Sequence, residues 1–107
     1  MNPVTERLAA LAHSGPLPVE QALGLADEIS DLAKQEASSL EMVGQFEDAA
    51  NLYEQAARAF QIAAEKVPAP DREQVASLAE FWLVKADMTR YRVHASPSPL
   101  SLSLIHI

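Results

Sequence analysis

The run FEDAANLYEQAARAFQIAAEKV, from Phe46 to Val67, decides the fold. Phe46, Ala50, Tyr53, Ala57, Phe60, Ala64 and Val67 recur at alternating steps of four and three. That spacing predicts one helix with a narrow apolar seam, packed nearly antiparallel to its neighbours. The alanines let another helix approach closely, while Phe46, Tyr53 and Phe60 fill the space between layers. Glu47, Asp48 and Glu54 fall largely opposite the seam, where a solvated face accounts for them better than an acid/base pair does.

Upstream, Gly44 ends a long helical pattern from Val19 to about Val43, in which Ala26, Ile29, Ala33, Ala37 and Leu40 form one apolar face. Gly24 inside it costs about 1 kcal/mol relative to alanine, so the first turn is its least secure part. Asn2-Pro3 places a capping side chain before a proline at the first helical position, and Val4, Leu8 and Leu11 follow at helical spacing. This short N-terminal helix, within residues 1–15, stops at Ser14-Gly15-Pro16-Leu17-Pro18. Downstream, Pro68-Ala69-Pro70 breaks the chain and Asp71 is the predicted cap of a last helix reaching Tyr91 or Arg92. No segment before the tail alternates like a strand. The fold predicted is all-α: an antiparallel three-helix bundle over residues 19–92, related to tetratricopeptide hairpins, with the short N-terminal helix added.

The tail after His94 differs in kind. Leu100 to Ile107 carries no charge, and its ending SLSLIHI resembles the translated sequencing-adapter sequence found at the end of truncated open reading frames. That likeness implies that residues 93–107 are a disordered artefact and that the natural protein continues beyond about Arg92.

Composition narrows the function. The 107 residues include 15 Asp plus Glu, 8 Lys plus Arg and no Cys, for a net charge of −7. One domain is the expectation. The charge argues against nucleic acid, whose phosphates call for a basic stripe. Without cysteine there is no disulfide, thiolate zinc site or thiol nucleophile. No charged-then-apolar leader is present, and charges interrupt each apolar run before the roughly 18 residues of a membrane helix. A soluble, cytoplasmic chain with no direct membrane insertion is expected. His13, His94 and His106 do not converge, no Glu-x-x-His appears, and Gly15, Gly24 and Gly44 are isolated. The sequence therefore predicts no catalytic residue, no metal and no cofactor, and the chain is not expected to be an enzyme.

The stretch Ala37-Ser-Ser-Leu-Glu41-Met-Val-Gly44-Gln-Phe46-Glu-Asp-Ala49-Ala-Asn-Leu52-Tyr53-Glu-Gln-Ala56 resembles the first helical hairpin of MIT domains, the microtubule-interacting and trafficking modules. Trp82-Leu83-Val84-Lys85-Ala86-Asp87 resembles the aromatic-Leu-x-basic-Ala-acidic signature near the end of that family's third helix. The match covers about Ile29 to Arg92. It departs at Leu78, where a basic residue is usual, and at Trp82, where the family has tyrosine. Gly44, Ala49, Tyr53 and Ala56 also satisfy the second half of a tetratricopeptide repeat. The last helix, and the lack of a second 34-residue copy, favour MIT. The alternative is a scaffold fragment of a longer helical-repeat protein.

At about 100° per residue, Val75, Ala79, Trp82 and Ala86 fall on one line of the last helix and are expected to face the core, with Leu78 beside them. Leu83 lies to one flank, and Ala76, Asp87 and Glu80 follow on that side. A leucine bordered by carboxylates suits a short amphipathic helix that inserts leucines and offers Arg or Lys to the acids. The MIT resemblance implies that Leu83 and Asp87 occupy the family's groove positions. It further implies helical motifs in ESCRT-III C-terminal tails as partners and recruitment of the parent protein to endosomal or membrane-remodelling sites. The parent itself is then an enzyme such as an AAA ATPase, or another protein that needs targeting. On the opposite side, Phe81, Val84 and Met88 form a second apolar arc. The N-terminal helix is expected to cover it; if left bare, it is a second partner surface.

Overall fold

A computed structural model describes residues 2–95, with side chains through residue 92. The last helix runs on to Ala95, past its expected end at Tyr91 or Arg92, so residues 93–95 are helical and not part of a disordered tail; the tail expectation for residues 96–107 lies outside the described residues. Four α-helices follow one another: α1 (Pro3–His13), α2 (Val19–Met42), α3 (Phe46–Lys66) and α4 (Ala69–Ala95). Among the described residues there is no strand.

Helix ends obey local chemistry. The Asn2 side chain accepts a 2.7 Å hydrogen bond from the Val4 amide, with Pro3 in the first turn where its missing N–H costs nothing. Gly44 sits at φ +80°, its amide donating to Glu41 O and the Gln45 amide to Leu40 O. This pair of bonds satisfies the last carbonyls of α2 through a left-handed residue, a position that favours glycine. Helix α4 starts two residues before the predicted Asp71 cap, because Pro70 tolerates a first-turn position and the Asp71 amide donates to Pro68 O at 2.9 Å.

Helix α3 is central. It packs along α2 and along α4, while α1 lies against α3 and α2. Its buried residues Ala49, Ala50, Leu52, Tyr53, Ala56, Ala57, Ala59, Phe60, Ala63 and Ala64 cover about half its circumference, wider than the predicted seam. Seven of these ten are alanines, which lets neighbours approach on two sides. Neither α1 nor α2 packs along α4.

That arrangement corrects the expectation that α1 covers Phe81, Val84 and Met88. Val4, Leu8 and Leu11 are buried against α2 and α3 instead, and Arg7 reaches Glu28 of α2 at 3.1 Å. Lys66 fixes the end of α1 by donating to Ala12 O and Ser14 O, each at 2.8 Å. A cation placed there complements the negative end of the α1 dipole.

Gly24 continues α2 without a break, and a Cβ added there meets nothing within 4 Å. Gly24→Ala is expected to raise stability by about 1 kcal/mol. Thermal unfolding checks this, with an increase in Tm of about 4–8 °C.

Candidate interaction groove on helix α4

Helix α4 is apolar on more than one side. Val75, Ala79 and Ala86 are buried and Trp82 partly buried, as the core line predicts. Leu78, expected beside them, is exposed. Trp82 stacks on Tyr53 of α3 with ring centroids 6.0 Å apart and meets Phe81 in a T-shaped contact at 5.1 Å. The Tyr53 hydroxyl donates to Glu41 Oε2 of α2 at 2.6 Å, and Lys85 of α4 lies over its ring. Glu41 also receives Arg92 at 3.0 Å. One aromatic ring thus joins three helices.

Burial, and then the Glu41 carboxylate, push the Tyr53 hydroxyl up to about 12 from its ordinary 10. A raised folded pKa means that the native state holds this proton more tightly than the unfolded chain. The stabilisation is complete below pH 10 and is lost as pH climbs from 10 to 12. Urea unfolding at stepped alkaline pH is expected to show this loss, and Tyr53→Phe is expected to remove its slope.

Beside the core line, Ala76, Leu83 and Arg90 recur every seven residues along the flank facing α3. Leu83 is 39% exposed and lies in a shallow groove whose other wall is Asn51, Glu54, Gln55 and Arg58. Ala76 lines the neighbouring part of the same seam with Ala64, Glu65, Arg72 and Glu73. Arg90 closes the far end, donating to Glu47 at 2.9 Å and to Glu54 and Asn51 at 2.8 Å. Hydrogen bonds to Glu54 and Glu47 push its pKa up, so it stays charged.

The expected site is therefore only partly assembled as one groove. Leu83 and Ala76 share the α3/α4 seam. Glu80 and Asp87 follow them round the helix and stand on its outer lip, where they border Phe81, Val84 and Met88. Neither acid forms an ion pair among the described residues. The α3 wall escaped sequence reading because Glu54 looked like a solvated face. Asn51, Glu54, Gln55 and Arg58 do repeat at helical spacing beside the seam, which is the available signal. Gln55 Oε1 is buried with no hydrogen-bond partner among the described residues.

His13 bonds the Ala9 carbonyl of its own helix through Nδ1. The side chain of His94, and all of His106, lie outside the described residues. Among the described residues no three His, Asp or Glu side chains gather as metal ligands, and no helix is long and apolar enough to cross a membrane. No protein-family model matches the chain, and no curated protein or solved structure matches it.

Proposed function

We propose that this chain is a protein-interaction module that receives a short amphipathic helix in the α3/α4 groove. The observation that carries the reading is Leu83: a large apolar side chain, 39% exposed, between two helices. Glu54 borders it on the α3 wall, and Glu80 and Asp87 stand outside the groove, further round α4 beside Phe81, Val84 and Met88. Leucines of a ligand helix bury against Leu83 and Ala76, and its Arg or Lys side chains meet the acids.

Together with the MIT-like residue pattern, this favours C-terminal helical motifs of ESCRT-III subunits as ligands. The module then targets a larger parent to cytoplasmic or endosomal membrane-remodelling sites and performs no chemistry itself. Affinity is modest, because ordering a free peptide offsets much of what a few anchors contribute. Titration of fluorescently labelled ESCRT-III tail peptides is expected to saturate at micromolar concentrations and to weaken as salt rises. Absence of saturation at about 1 mM, a free energy under about 4 kcal/mol, rejects the reading.

A further inference from the structure

On the side of α4 opposite the core, Phe81, Val84, Met88 and Tyr91 are 57–69% exposed. They are separated by three, four and three residues, the a and d spacing of a coiled-coil seam. Their common direction lies about 170° from the buried line of Val75, Ala79, Trp82 and Ala86, so the strip points away from its own bundle. Neither α1 nor α2 packs along α4. All the residues of this strip belong to one helix, so it is a ridge that another helix is needed to cover.

The charges beside the ridge say which helix. In the same register, Glu80 and Asp87 occupy g positions on one flank, and Lys85 and Arg92 occupy e positions on the other. In a parallel pair each g residue faces the e residue five positions on in the partner. Glu80 then meets Lys85 of the second copy, and Asp87 meets Arg92 of the second copy. Both pairs are opposite in charge, and the two-fold axis makes four of them. In an antiparallel pair, acid faces acid and base faces base.

We propose that two copies of this chain associate in parallel through the outer face of α4, along a two-fold axis running beside the helix. Lys85 already rests over Tyr53 and Arg92 against Glu41 and the Phe46 ring, which limits the rotamer freedom lost on pairing. Each retains N–H donors for a second carboxylate. The seam from Phe81 to Tyr91 is only about 15 Å long, roughly one and a half heptads, so association is weak and depends on concentration. This inference goes beyond the peptide groove: Leu83 and Ala76 take no part, Glu80 and Asp87 are the only residues the two share, and substitutions at Val84 and Met88 test it separately.

Sedimentation of the full chain from about 10 μM to 1 mM is expected to show the mass rising from one chain towards two, with a Kd on the order of 100 μM. Val84→Glu with Met88→Glu is expected to hold the mass at one chain, circular dichroism confirming unchanged helicity. Glu80→Lys and Lys85→Glu are each expected to weaken self-association about tenfold, and mixing the two variants to restore it by re-forming opposite charges on both edges. The cysteine-free chain also allows a direct reading of orientation. Val84→Cys and Tyr91→Cys are each expected to cross-link to themselves on oxidation, as only a parallel seam aligns both positions with their own copies. One-chain mass at every concentration overturns the proposal. So does self-cross-linking at neither position, or cross-linking of a Val84→Cys and Met88→Cys mixture in preference to either alone.

Discussion

Tyr53→Ala is expected to lower folding stability by about 3–5 kcal/mol, the largest loss from any single substitution considered. Tyr53 is buried in α3, stacks on Trp82 of α4, carries Lys85 above its ring and bonds Glu41 of α2. Truncation leaves a cavity where three helices meet and strands the Glu41 carboxylate with Arg92 alone. A domain of this size has roughly 5–15 kcal/mol of stability in all, so the loss takes a large share. Denaturant titration is the measurement, with a lower midpoint at unchanged slope. Tyr53→Phe keeps the ring and loses only the hydroxyl bond, so its cost at pH 7 is expected to be near 1 kcal/mol. Equal losses for the two variants contradict the picture of a packed ring at the joint.

Leu83→Asp is expected to reduce affinity for ESCRT-III tail peptides by about a hundredfold, which in a direct titration reads as loss of binding. The change removes an anchor worth roughly 1.5–3 kcal/mol of burial and leaves a desolvated carboxylate facing the ligand's leucines. Leu83 is outside the buried core, so helicity and melting temperature are expected to hold. Fluorescence anisotropy for binding and circular dichroism for folding separate the two effects. Binding that survives within about twofold places the peptide elsewhere and sinks the groove assignment. Val84→Glu with Met88→Glu is the matched control on the other face: it is expected to abolish self-association and to leave peptide affinity intact.

The helices were legible to different degrees, for identifiable reasons. Helices α2 and α3 end within one residue of expectation, because Gly44 and Pro68 punctuate a strong periodicity. The start of α4 moved three residues upstream, from Arg72 after the expected Asp71 cap to Ala69, because Pro68-Ala69-Pro70 reads as a breaker, whereas a proline in a first turn is harmless. The candidate site was legible on α4 and not on α3. Leu83 stands out by its place beside the core line, but Asn51, Gln55 and Arg58 become a wall only once α4 lies next to them.

Periodicity is a property of each segment, so the amino-acid sequence by itself determined the number of long helices, their seams and the small-residue surface of α3. Which helix lies beside which is a property of the whole chain. The tertiary structure put α1 on α2 and α3, where Lys66 holds its end, and so left the outer face of α4 bare. It also divided the predicted site, with Leu83 in the seam and Glu80 and Asp87 on the ridge. Both results arise because a buried alanine face on α3 accepts neighbours on two sides, and only their mutual packing selects which side each one takes.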